Sequence, residues 1–211
     1  MTTKTLALAL LAGSAAFSAA VAQDGPYKIG ITQNNVGVDS YQTTYEQAFI
    51  EAAGSNPDVE TVVLDAGGDV ARQIAQVEDL IQQAVDAIII WPTQGQAVVP
   101  AVRQAQMAGI PVVITNSQIA EEGFEFIASF SGPDNITQGQ YSAEMMCEAL
   151  DGEGQIVQIT GQPGYTTAME RQQGFEDRLA EACPGVEIME SQPGDWNRER
   201  ALRAWNHWKA A

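Results

Sequence analysis

The sequence predicts an α/β protein of two consecutive units, each a parallel sheet with helices on both faces. Three observations carry that prediction. Strand-like runs and helical stripes alternate with a regular beat. Some strand-like runs are apolar at every position, as in Ile88-Ile89-Ile90. The beat pauses once, around Ser129–Pro133, and then restarts. A strand covered on both faces needs apolar residues throughout, whereas a sheet with one wet face alternates. Strand–helix alternation of this kind folds into parallel sheets, because each crossover lays its helix back on the sheet.

The elements follow in order. Tyr27–Thr32 is a β-rich run, and Tyr41–Ala53 has helical spacing at Tyr41, Tyr45, Ala48, Phe49 and Ala52. Thr61–Asp65 is a second strand, closed by the turn signal Gly67-Gly68-Asp69. Val70–Ala84 sets Val70, Ile74, Val77, Leu80 and Ile81 on one stripe, as an amphipathic helix requires. Val85–Trp91 is a buried strand ended by Pro92; Gln96–Ala108 is a helix, Ile110–Thr115 a strand, and Glu125–Ser129 a further short strand. After the pause, helix Asn135–Leu150 is expected to carry Tyr141, Met145 and Leu150 inward. Strand Gln155–Thr160, helix Thr167–Ala182, strand Val186–Ser191 and a last helix from Asn197 complete the chain. Trp205 and Trp208, at i and i+3 of that helix, read as a buried face. The expected organisation is an N-terminal lobe over 23–129, a hinge crossing at 130–133 and a C-terminal lobe over 134–211.

Residues 1–22 read as a signal peptide. Lys4 opens it, Leu6–Leu11 is apolar, and Ala20-Val21-Ala22 is the small-x-small pattern that places cleavage after Ala22. The apolar run is too short to cross a bilayer. Removing this segment takes away one lysine and no acid, so the mature chain is one unit more negative than the formal −17 of the full sequence. That excess repels nucleic-acid phosphates and favours a soluble, weakly self-associating monomer. Cys147 and Cys183 fall near the ends of helices flanking one strand; an exported chain permits a disulfide between them, and two separate buried thiols are the alternative. His207 is the lone histidine, and no cysteine–histidine cluster suggests a metal; no cofactor is expected.

Open α/β sheets bind ligands outside the carboxyl ends of their strands. Those positions hold Gln33, Asn34 and Asn35; Trp91 and Thr93; Asn116, Ser117 and Gln118; Gln162 and Arg171; and Asp195, Trp196 and Asn197. Amides, hydroxyls and one guanidinium offer fixed donors and acceptors to a ligand rich in OH groups, and an indole covers the C–H face of a sugar ring. Taken singly, Asn34, Asn116 and Ser117 read equally as turn and cap residues, Trp91 as core beside Ile90, and Arg171 as a surface charge paired with Glu170 or Glu176. Their coincidence at successive strand ends is the signal.

The segments Asp86–Thr93, Ala108–Asn116, Phe126–Ser129 with Asp134-Asn135, Ala168–Phe175 and Ser191–Trp196 occur in order and at matching spacing. In these the chain resembles the ribose-binding-protein type of periplasmic sugar receptor, which feeds an ATP-driven importer. The likeness covers residues 27–203. It implies two Rossmann-like lobes, a periplasmic location, a sugar or polyol ligand and the membrane permease of an ABC importer as partner. It also implies ligand contacts at Asn34, Asn116, Ser117, Arg171 and Trp196, with an aromatic near Tyr41. Ribose-type members tend to have Asp-Arg where this chain has Asn116-Ser117, so another pentose or hexose, or an acyclic polyol, is expected. The family continues beyond a helix like Asn197–Lys209, so the second lobe is expected to be incomplete and the chain a truncated or frameshifted product. Catalysis is not expected: there is no phosphate loop and no nucleophile elbow, and Asp39, Asp65 and Asp195 make a poor carboxylate pair because Asp65 reads as a turn residue. A lactose-type repressor shares the core by resemblance but would begin with a basic helix-turn-helix. A chemotaxis receptor of the same fold remains open.

Overall fold

The computed structural model describes residues 25–37 and 40–210. The signal-peptide reading of residues 1–22, and Asp39, lie outside them.

The first unit is a five-stranded, wholly parallel sheet in the order β2-β1-β3-β4-β5. Its strands are β1 (Tyr27–Gln33), β2 (Val59–Asp65), β3 (Ala87–Ile90), β4 (Val112–Thr115) and β5 (Ser129–Ser131). Helices α1 (Ser40–Gly54), α2 (Val70–Gln82) and α3 (Val99–Met107) connect them. The chain runs outward from β1 to β2 and then back across β1 to β3. Right-handed crossovers therefore put α1 on one face and α2 and α3 on the other. That reversal leaves a crevice at the carboxyl ends of β1 and β3.

The core lies between the sheet and α2–α3. Val77, Leu80, Ile88, Ile90, Val102, Val112 and Ile114 are fully buried there, and Val70, Ile74 and Ile81 pack against them. Gly30 is required on β1 because a Cβ there would lie 2.6 Å from the Leu80 side chain. Asp69 caps α2, its carboxylate accepting from the amides of Ala71 and Arg72.

The helix read at Tyr41–Ala53 is α1; Gln42 is its buried residue, and Tyr41 is 58% exposed. Only β1 and β2 lie on that side of the reversal, so α1 has a narrow surface to cover. The strand read at Glu125–Ser129 is instead a 3-10 turn, Glu121–Phe126, followed by β5. Gly123 packs there on Ile119 and Val99, closer than any side chain would allow, and Phe126 turns onto the core beneath the Arg103 guanidinium. The chain rejoins the sheet only where the Ala128 amide donates to the Val112 carbonyl.

The second unit runs α4 (Asn135–Ala149), β6 (Glu153–Thr160), α5 (Thr166–Ala182), β7 (Gly185–Pro193) and α6 (Arg198–Ala210), with β6 and β7 parallel. Asp134 caps α4 by accepting from the amide and hydroxyl of Thr137, which hold its carboxyl below its ordinary pKa. Ala143, Leu179, Cys183 and Val186 form a small core with Phe175, Ile156 and Ile188 against it.

The expected inward face of α4 is wrong. Tyr141 is 62% exposed and Met145 71%, while Asn135, Gly139 and Ala143 are buried. This helix packs on α5 at near-backbone distance, and only its small-residue face permits that approach. Leu150 alone of the expected three packs on the core. Trp205 and Trp208 are not a buried face either. Trp205 is 49% exposed, and the Trp208 indole N–H donates to Glu190 at 2.6 Å.

Cys147 on α4 and Cys183 at the end of α5 are joined as a disulfide, with Cα atoms 5.9 Å apart and a sequence separation of 36. Closing a loop of that length removes denatured-state entropy equivalent to about 4 kcal/mol at most. Replacing both cysteines by alanine should lower the urea midpoint accordingly. Equal midpoints for variant and parent would show that the bond contributes nothing.

Candidate functional site

A cavity of about 220 Å³ opens between the two units, lined by Asn34, Tyr41, Gln42, Trp91, Asn116, Ser117, Tyr165, Thr167, Arg171 and Trp196. All seven residues expected to touch ligand (Asn34, Tyr41, Trp91, Asn116, Ser117, Arg171 and Trp196) are among these ten.

Local chemistry sets each position. Asn34 follows β1 and accepts the Asn35 amide on its side-chain oxygen at 2.8 Å. Trp91 follows β3 in a turn fixed by buried Gln73. The Gln73 side-chain amide donates to the Trp91 carbonyl at 2.8 Å, and its oxygen accepts from the Thr93 amide at 2.7 Å. The Trp91 ring is met edge-on by Tyr41 and Tyr45, with centroids 5.8 and 5.1 Å away. It therefore serves as core and as cavity wall at once. Burial pushes the Tyr45 hydroxyl pKa upward.

Asn116 follows β4 with φ +62°, a left-handed conformation that asparagine tolerates better than most residues. Its amide donates to the Ser131 carbonyl, and its side-chain oxygen accepts from the Tyr41 hydroxyl at 2.9 Å. Ser117 is buried beside it.

On the second unit, Tyr165 meets Trp196 edge-on with centroids 5.1 Å apart. Burial raises the Tyr165 pKa, so its phenol is a neutral donor. Asp195 and Trp196 both have positive φ, an uncommon backbone for such residues. Gly161 makes room for the indole, since a Cβ there would sit 2.7 Å from the ring. Asp195 pairs with Arg200, and Asn197 caps α6 by accepting from the amides of Glu199 and Arg200.

Arg171 is not the surface charge paired with Glu170 or Glu176 that its neighbours suggested. Its Nε donates to Asn135 Oδ1 at 3.0 Å, and Asn135 Nδ2 donates to Glu170 Oε2 at 3.0 Å. That chain of bonds fixes the amide's orientation and holds the guanidinium at the cavity. Desolvation lowers the Arg171 pKa, yet an arginine stays cationic at neutral pH.

The sequence reading missed Gln42, Tyr165 and Thr167. Tyr165 and Thr167 had a signal, for they follow the Gly161-Gln-Pro-Gly164 loop at the end of β6. Asp65 is a turn residue, as expected, accepting from the amides of Val36 and Gly67. A larger groove, about 830 Å³, runs beside β6 and is lined by Ile156, Val157, Ile159 and Phe175 among others. All its lining residues belong to the second unit, whereas both units wall the smaller cleft, which makes the cleft the better site. Among the described residues, no group of three His, Cys, Asp or Glu is placed to hold a metal ion.

Two α/β units meeting across a cleft of amides, hydroxyls, aromatic rings and one guanidinium define a two-lobed receptor fold. The chain belongs to the periplasmic binding protein domain family, whose model it matches over residues 29–211. The xylitol-binding protein of Mycolicibacterium smegmatis is 30% identical, over 84% of this chain and 46% of its own length. The ribose import binding protein RbsB of Bacillus subtilis is 31% identical, over 72% and 48%. An ABC transporter solute binding protein from Bacillus halodurans, solved with bound myo-inositol, superposes with a TM-score of 0.83 at 29% identity, covering 89% of this chain and 64% of that one. The chain thus spans about half the length of the curated relatives it matches.

Proposed function

We propose that this protein is exported, with cleavage after Ala22, and captures one small polyhydroxylated molecule, a sugar or polyol, for the permease of an ABC importer. The observation that carries this reading is the cleft itself. Asn34 and Asn116 offer neutral donors and acceptors, Arg171 adds one fork of donors, and aromatic pairs stand on both walls. Among the described residues, no carboxylate lines it. At about 220 Å³ it is smaller than the roughly 300–1,000 Å³ that holds drug-sized ligands, which suits a single sugar or polyol rather than an oligosaccharide. The xylitol, ribose and myo-inositol named for its relatives are of that size and chemistry.

The lobes close on ligand by hinge motion in the crossing at 130–133. Phe130 and Ser131 are paired to β4 there, which leaves Gly132 and Pro133 to bend. The protein acts as a monomer and catalyses no reaction. A panel of pentoses, hexoses and polyols, with xylitol, ribose and myo-inositol included, should contain one that stabilises the protein by about 2.7 kcal/mol at a hundred times its Kd. Silence across the panel, or turnover of an aryl glycoside, would overturn the reading.

A further inference from the structure

We propose that Ser117 and Thr167, beyond lining the cleft, form a latch between the lobes whose contact sets how tightly every ligand is held; this rests on the cleft being the ligand site. Ser117 lies in the loop after β4 of the first unit, and Thr167 in the first turn of α5 of the second. Their hydroxyl oxygens are 2.5 Å apart across 50 residues of sequence. The two residues are 3% and 4% exposed, in the wall of the cleft, although each partner belongs to a different unit.

The seam around them is built for close approach. A Cβ on Gly95 would lie 2.5 Å from the Thr166 hydroxyl of α5 and 2.6 Å from the Gln118 carbonyl of its own unit, so glycine there brings this stretch close to α5. A Cβ on Gly164 would come within 4.0 Å of the Gln94 side-chain amide. The contact is thus a continuous strip, Gln94-Gly95 and Ser117-Gln118 against Gly164–Thr167, along one side of the cleft.

A hydroxyl carries one donor and two acceptor sites, so this pair is satisfied in either direction. When the lobes part, water replaces each partner. The net gain from closure is therefore small, a factor of about 3 to 10 in the closed population, as for an ordinary neutral hydrogen bond. A ligand that needs both walls binds only the closed form, and its apparent Kd is divided by the closed fraction. Loss of the latch must then weaken all ligands by one common factor, whereas Asn116 or Arg171 variants would change their ranking.

The experiment compares Ser117→Ala, Thr167→Val, the double variant and Thr167→Ser with the parent. Isothermal titration is run with xylitol and with myo-inositol, and small-angle scattering is recorded without ligand. Both single variants should weaken both ligands about 3- to 10-fold, chiefly through faster release. The double variant should be no weaker than either single one, and Thr167→Ser, which keeps the hydroxyl, should lose less affinity than Thr167→Val. Without ligand, the first three variants should scatter as more open molecules. Unequal losses for the two ligands, additive single effects, or scattering identical to the parent's would each overturn the latch. If neither sugar alcohol binds the parent, the cleft assignment is what suffers; the scattering arm still decides the latch.

Discussion

Gly139→Ala should destabilise the protein by about 3 kcal/mol or more, although alanine is the better helix former. On propensity alone the change would stabilise α4 by up to about 1 kcal/mol. Geometry decides the sign. A Cβ at Gly139 would lie 2.2 Å from the Arg171 carbonyl oxygen and 2.7 Å from the Phe175 amide nitrogen. A Cβ on the opposing Gly174 would be as tightly placed, 2.1 Å from the Ile136 carbonyl oxygen. These neighbours are backbone, so no rotamer change relieves the clash. The helices must separate instead, opening the small core of Ala143, Leu179 and Val186 and pulling Asn135 away from Arg171. Urea unfolding of the variant measures it. A midpoint above the parent's would mean that α4 and α5 do not meet as described.

Arg171→Leu is the largest effect expected on ligand capture. A hydrogen bond to a charged group is worth about 1.5–3 kcal/mol, so affinity for whichever panel member binds should fall about 10- to 100-fold. Arg171→Lys should not restore it. The Nε–H that Asn135 holds has no counterpart in lysine, and the planar fork becomes a single mobile ammonium. Titration calorimetry with parental thermal stability as a control reads the effect. Unchanged affinity in either variant would remove Arg171 from the ligand's surroundings.

Much of this was legible in the residues. The strand ends after β1, β3 and β4 supplied Asn34, Trp91, Asn116 and Ser117 because a parallel sheet exposes its carboxyl ends together, and the apolar runs locate those ends. Arg171 and Trp196 came from the strand ends of the second unit, and Tyr41 by resemblance. The failures share a cause. Tyr141 and Met145 were expected inward since bulky apolar residues at helical spacing usually mark the buried face, but the partner helix selected the glycine face instead. Glu125–Ser129 read as a strand from its short apolar run Phe126-Ile127-Ala128, but the chain there makes a 3-10 turn that puts Phe126 on the core.

The sequence by itself determined the alternation of strands and helices, the all-parallel sheets and the chemical character of the loops that follow the strands, because periodicity and burial patterns are local properties. Only the tertiary structure decided which helix faces are buried and which side chains meet: Ser117 with Thr167, Tyr165 with Trp196, Asn135 with Arg171, Gly139 against α5. Most of those pairings depend on how elements tens of residues apart come together, and that placement follows from the packing of whole surfaces, which no short stretch of sequence encodes.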